Sequence, residues 1–189
     1  MYVDAKMVKE VEDRFGEPQV LHLVHKMGDK ELAFVRATQT RGRAHDITFF
    51  IFNNEYLALI RKPMFRRPIF RAPSGGLNPG ESFEEGAKRE ALEETGLEME
   101  LEKYLLRIHV RFTSDEDYLD WTSHVFKARA AGGHLAARDT SEIAETKYGT
   151  IEELQGPIRQ ALLDSGCRLL AYRVALTDAA VDILQSMTR

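Results

Sequence analysis

The chain has 189 residues, 43% hydrophobic and 30% charged, the profile of an ordinary folded domain rather than a disordered or fibrous chain. At roughly 150 residues per domain this is one domain with room for an appendage. A net charge of −4 argues against a general nucleic-acid binder, and a single cysteine, Cys167, excludes an internal disulfide.

The first residues are too charged for a signal peptide, and no apolar run approaches the 18 to 20 or so residues of a membrane helix. A cytoplasmic protein without membrane or nucleic-acid partners is the expectation. Residues 4–15 predict a helix that stops at Gly16-Glu17-Pro18. The stretches VLHLVHK and KELAFVR flank Met27-Gly28-Asp29-Lys30 and predict a β-hairpin. The polar stretch Arg41 to His45 marks a boundary. This front piece, 1–42, is too small to bury a core alone. It is expected to pack on the main domain, 43–189, or on the partner subunit of a homodimer.

From Asp46 the pattern is rich in strands. ITFFIF and YLALIR flank Asn53-Asn54-Glu55, a second hairpin, and IFRAP runs into a glycine-rich turn and a helix. Two long strands follow, MELEKYLLRIHVRF and DWTSHVFKARA, parted by the acidic turn Ser114 to Asp117. Helices over about 151–164 and 168–187 close the chain, with Ser165-Gly166 between them. This order predicts an α/β fold, a sandwich of helices around a mixed sheet.

Residues 73–97 read PSGGLNPGESFEEGAKREALEETGL. Ser82 with Glu85 forms a capping box that starts a helix near Phe83, and Gly96 supplies the left-handed residue that ends it. At about 100° per residue, Glu90, Glu93 and Glu94 crowd one arc near the helix C-terminus. There they repel one another and oppose the helix dipole, so a solvated acidic face is a poor explanation for them. A hard divalent cation would convert the repulsion into ligation.

The spacing from Gly75 through Glu81 to Arg89, Glu90, Glu93, Glu94 and Gly96 resembles the box of the Nudix hydrolase family, G-x5-E-x7-R-E-U-x-E-E-x-G-U, with U aliphatic. All seven specified residues match and Leu97 fits its slot, while Ala91 is small for the other aliphatic position. Seven such coincidences have odds on the order of 10⁻⁸. The resemblance implies the Nudix α/β/α sandwich and magnesium or manganese bound by Glu90, Glu93, Glu94 and the Ser74 carbonyl. It further implies that Arg89 orients the glutamates, that Glu81 organises the loop or makes an outer contact, and that Gly75 and Gly96 are structural. The reaction implied is hydrolysis of a nucleoside diphosphate linked to another moiety, such as a nucleotide sugar (ADP-ribose among them), a dinucleotide or a nucleoside triphosphate.

Some members use a box glutamate, Glu93 or Glu94, as general base, and others a later loop acid. Glu145, three residues before Tyr148, fits the latter spacing better than Glu142. Upstream, Arg61, Lys62, Arg66, Arg67 and Arg71 put five cations in eleven residues, with Arg61 and Arg71 the candidates for substrate phosphate. Phe65, Phe70, Tyr118 and Trp121 are candidates to stack on a base, or else belong to core or rim. The alternative to an enzyme is a non-catalytic, nucleotide-sensing regulatory domain of the same fold; the intact glutamates favour the enzyme.

Overall fold

The computed structural model describes residues 2–39 and 42–187; Arg41, in the polar boundary stretch, lies outside them. Helix α1 (Ala5–Phe15) starts on Asp4, whose side chain accepts from Met7 N, and stops at Gly16. Strand β1 (Gln19–Lys26) and helix α2 (Asp29–Ala37) complete the front piece. Then come β2 (His45–Asn53), β3 (Tyr56–Arg61), the short β4 (Ser74–Gly75), helix α3 (Phe83–Thr95), and the long strands β5 (Leu97–Thr113) and β6 (Tyr118–Gly133). Strand β7 (Glu145–Gly149) leads into α4 (Ile151–Glu153), one π turn, α5 (Arg159–Asp164) and α6 (Arg168–Ser186).

The strands form one mixed sheet in the order β1-β5-β6-β2-β3-β7, with β4 beside β2. Strand β1 runs parallel to β5, and β2 parallel to β6, while the other pairs are antiparallel. Apolar side chains alternate across the central strand β2, as a strand between two layers requires. Ile47, Phe49 and Ile51 join Phe83, Ala87, Ala91 and Tyr104 in the core under α1 and α3. Phe50 faces the opposite core with Leu59, Leu106 and the α6 residues Tyr172 and Leu176. This is the expected α/β/α sandwich. No helix among the described residues is long and apolar enough to cross a membrane.

The predicted N-terminal hairpin is corrected. Gly28 is extended, at φ −77° and ψ 157°, and caps α2, with Glu31 Oε2 accepting from its N–H at 3.0 Å. KELAFVR is helical, so Leu32 and Val35, one turn apart, are the residues it buries. Strand β1 pairs with β5 instead, from Gln19 opposite Leu106 to Lys26 opposite Thr113. The second hairpin stands: Asn53 faces Tyr56, and Asn54 takes φ 54° in the turn.

Along β2 the neighbour changes. Ile47 and Thr48 pair with β4, whereas Phe52 and Asn53 pair with β3. The chain between β3 and β4 thereby leaves the sheet, and Lys62 and Ser74 at its two ends meet Glu94 in the last turn of α3.

Candidate active site

Helix α3 forms where its local residues dictate. Ser82 Oγ accepts from Glu85 N at 3.2 Å and Glu85 Oε2 from Ser82 N at 2.9 Å, a complete capping box. Gly96 takes φ 73° and its N–H reaches Leu92 O at 2.9 Å. A Cβ there would also sit 2.3 Å from Ala136 O, so glycine is required twice over. Gly75 is needed for contact rather than for φ: a Cβ on it would lie 1.9 Å from Glu90 Cδ. The loop backbone can thus lie flat against a glutamate of the helix.

Arg89 ties this loop to α3. It donates to Glu81 through Nε at 2.7 Å and NH2 at 2.9 Å, to Glu90 at 2.9 Å, to Glu93 at 3.1 Å, and to Gly76 O at 2.8 Å. Glu81 also accepts from Asn78 N at 2.7 Å. The Arg89 bonds, aided by Asn78, hold the Glu81 carboxyl down to about pKa 2 and push the Arg89 guanidinium up. Glu81 is therefore the anchor of the loop.

The other glutamates face a harsher environment. Glu94, only 3% exposed, accepts from Ser74 N at 2.8 Å and pairs with Lys62 Nζ at 3.0 Å. Burial raises the pKa of Glu90, with Glu93 and Glu94 adding to the rise against the pull of Arg89. Glu93 is half-exposed. Among the described residues no three acidic, histidine or cysteine side chains are gathered into a ready metal cage, and Lys62 and Arg89 stand among the carboxylates. Buried, crowded carboxylate oxygens are nonetheless the donor set a hard divalent cation takes.

Residues 42–165 match the NUDIX domain family. The chain belongs to the Nudix family. Within that match lies the whole glycine loop and α3. The Nudix chain is 36% identical over 120 residues to "Putative mutator protein MutT4" of Mycobacterium tuberculosis (strain CDC 1551 / Oshkosh), an alignment covering 64% of this chain and 45% of that protein. It thus spans less than half the length of that relative. Among solved structures it is similar to an ADP-ribose pyrophosphatase from Streptococcus suis 89-1591, with TM-score 0.43 and 16% identity over 58% of this chain and 75% of the other. A UDP-X diphosphatase gives TM-score 0.45 and 18% identity, covering 78% and 66% respectively. A NUDIX hydrolase from Nitrosomonas europaea gives 0.47 and 18%, covering 66% and 88%.

The Nudix glutamates open onto a cavity of about 1000 Å³. Ser74, Gly75, Arg89, Glu90, Glu93 and Glu94 line one end of it, together with Arg71. Arg71 NH1 donates to two uncharged acceptors, Ala72 O at 3.0 Å and Ser74 Oγ at 2.7 Å. Burial, with help from the nearby Arg173, lowers its pKa to about 10, and Glu94 and Asp46 work against that fall.

Glu145 and Arg61 are not among the residues lining the cavity. They sit opposite each other where β3 pairs with β7. Glu145 accepts from Arg67 Nε at 2.7 Å and Arg61 Nε at 3.2 Å, and the two guanidiniums, Arg67 first, depress its pKa. Two acids of the loop before β7, Asp139 and Glu142, line the cavity; Glu142 lies 2.7 Å from Lys62 Nζ, so Lys62 bridges it to Glu94. Of the aromatic candidates, Phe65 and Trp121 line the cavity, Phe70 is buried in the core, and Tyr118 stacks under Arg111 at the surface.

Two groups on the cavity escaped the sequence reading. Asp46, buried at the start of β2, accepts from Trp121 Nε1 at 2.8 Å and pairs with Arg173 NH2 at 2.8 Å. Burial alone would raise its pKa, but Arg173, Ser123 and Trp121 outweigh it and hold the pKa low. A readable signal existed for Arg173, the one cation in the apolar stretch LLAYRVAL.

Proposed function

We propose that this chain hydrolyses a pyrophosphate bond in a nucleoside diphosphate linked to another moiety, with magnesium or manganese as cation. The observation carrying the reading is the convergence on the cavity of Glu90 and Glu93, tied through Arg89 to Gly76 O, and of Glu94, held by the Ser74 N–H, beside Arg71, whose NH1 donates to the uncharged Ala72 O and Ser74 Oγ. Anions and cations so arranged suit a phosphate chain and its counter-ion.

Glu90, Glu93, Glu94 and the Ser74 carbonyl would hold the cation. When bound, it would neutralise phosphate oxygens and lower the pKa of attacking water. The residues of the chain do the rest. Arg89 and Glu81 keep the loop and helix in register, and Lys62 balances the carboxylates while the cation is away. Arg71 grips phosphate. Glu142, on the cavity, is assigned the proton-accepting role in place of Glu145, and Arg61 positions Glu145 rather than substrate.

The test is a panel of nucleoside diphosphate compounds incubated with magnesium and scored by phosphate-bearing products. Glu94→Gln should lower kcat/KM about a hundredfold or more, a loss of about 2.7 kcal/mol. Full activity in that variant, or in excess chelator, would refute the cation assignment. Tight binding with no turnover would favour the sensing alternative.

A further inference from the structure

We infer that Arg173, on α6, is a positioning residue for phosphate capture: by occupying Asp46 it keeps that carboxylate from Arg71 and leaves Arg71 to the substrate. The inference rests on reading Arg71 as the residue that grips phosphate. It gives a part in the site to a helix outside the matched family region, since the match ends at residue 165 and α6 begins at Arg168.

The sheet brings the two guanidiniums together. Thr48 of β2 lies opposite Ser74 of β4, and residues directly opposite carry their side chains on one face, with Cβ atoms about 5 Å apart. Each hydroxyl holds one arginine. Arg173 NH1 donates to Thr48 Oγ1 at 3.1 Å, and Arg71 NH1 donates to Ser74 Oγ at 2.7 Å. Asp46, two residues before Thr48, projects from the same face of β2. Arg71, Asp46 and Arg173 all line the cavity.

Two carboxylates act on Arg71, and each is already claimed by another cation. Glu94 pairs with Lys62 Nζ at 3.0 Å and accepts from Ser74 N at 2.8 Å. Asp46 accepts from Trp121 Nε1 at 2.8 Å and Ser123 Oγ at 2.5 Å, and pairs with Arg173 NH2 at 2.8 Å. Both acids favour the charge of Arg71, which Arg173 opposes, yet Arg71 NH1 donates to the uncharged Ala72 O and Ser74 Oγ.

That arrangement matters because a guanidinium locked on a buried carboxylate would have to break the pair before taking a phosphate. Arg173 is itself firmly set. Tyr172, its neighbour on α6, donates to Ser123 Oγ at 2.8 Å, and Ser123 lies opposite Asp46 where β6 pairs with β2. Removing Arg173 leaves Asp46 buried without its counter-ion. Arg71, on the hydroxyl opposite Thr48, is then the cation placed to take over, and it is lost to the substrate.

The probe is methylenebisphosphonate, a non-hydrolysable pyrophosphate, titrated calorimetrically with magnesium in fixed excess. Arg71→Ala sets the scale, with affinity falling about tenfold or more. Arg173→Met should fall by a similar factor, whereas Arg173→Lys, which keeps a cation on Asp46, should stay within a few fold of wild type. In the Arg71→Ala background Arg173→Met should cost nothing further, because it acts through Arg71. The deciding variant combines Arg173→Met with Asp46→Asn. It has the net charge of the wild type and no carboxylate at position 46 for Arg71 to close on, so affinity should return to within a few fold of wild type. Replacing both members of a buried pair is also better tolerated than removing one. Where Arg173→Met does not fold, Arg173→Gln, whose amide donates to Asp46 without neutralising it, is read by the same criteria. A double variant as weak as Arg173→Met would overturn the inference, since Arg173 would then grip phosphate itself or only support the fold. Wild-type affinity in Arg173→Met would overturn it too. Wild-type affinity in Arg71→Ala would refute the reading of Arg71 and this inference together. If the whole pattern holds and no substrate is hydrolysed, the hydrolase reading falls and this one stands.

Discussion

Lys62 Nζ lies 3.0 Å from Glu94 Oε1, an ion pair set inside the acidic cluster of α3 and shared with Glu142. From the sequence the three glutamates repel one another; in the folded chain Lys62 and Arg89 supply the opposing charge. Lys62→Met should therefore lower the melting temperature in chelator. It leaves Glu94 buried with only the Ser74 N–H, a loss of about 3 kcal/mol, or about 6–12 °C for a domain of this size. Magnesium should restore a larger share of stability to the variant than it adds to the wild type. Equal melting of the two proteins in chelator would show that the pair contributes nothing.

Substitutions at Glu142 and Glu145 should separate catalysis from support. Glu142→Gln should lower kcat by about a hundredfold or more with KM little changed, the usual effect of removing a general base. Glu145→Gln should leave kcat within a few fold and lower thermal stability instead, since Arg61 and Arg67 lose their partner. The opposite pattern would return the base to Glu145, as its spacing from Tyr148 suggests.

Acid should weaken the fold well before the carboxylates are neutralised. Burial drives His124 down to about pKa 3 and His45 down to about 4, although Asp46 pulls both upward. Arg107 and His109 also face His124, whose Nδ1 is hydrogen-bonded to the Tyr104 hydroxyl. Both histidines titrate near 6.5 once unfolded, so below that pH the unfolded chain takes up protons that the folded chain refuses. Stability is then lost as pH falls from about 6.5 to 4, by up to ~1.4 kcal/mol per pH unit for each histidine. Glu81, held near pKa 2, adds a further loss of the same sign below about pH 4.5. Thermal melts across this range check the slope, and a flat profile from pH 6.5 to 4.5 would contradict the burial of neutral imidazoles.

Asp46 is the keystone of the cavity floor. Asp46→Ala strips the acceptor from Trp121 and Ser123 and the counter-charge from Arg173, leaving that guanidinium beside Arg71. Breaking a buried pair of this kind costs about 3–5 kcal/mol. Denaturant titration should show that loss, with altered Trp121 emission in the native baseline. A variant as stable as wild type would mean that water replaces the carboxylate.

The glutamate-bearing segment was legible because its interactions are short in sequence. Ser82 meets Glu85, Asn78 meets Glu81 and Arg89 meets Glu93 within one turn or loop, so spacing alone reports the geometry. The α/β/α layering was equally legible, because the continuous apolar run ITFFIF of β2 requires two covered faces. KELAFVR misled because its local pattern suits a short strand as well as a helix. What settled it was β1 finding its partner in β5, about 87 residues away in register, and freeing the following residues to coil.

The substrate side of the site belongs to tertiary structure. Trp121 and Asp46 are 75 residues apart, Tyr172 and Ser123 are 49 apart, and Arg61 and Glu145 are 84 apart. A charge on a strand reads the same in sequence whether it points at a cavity or at another charge. Only the pairing of β3 with β7 decided that Glu145 would be neutralised by arginines and Glu142 left on the cavity. The sequence by itself determined the acidic helix, its caps and the glycines that let a carboxylate lie against the loop, because local sterics and hydrogen bonds suffice for them. Which acids meet which cations, and what walls enclose the substrate, follow from contacts that no local rule contains.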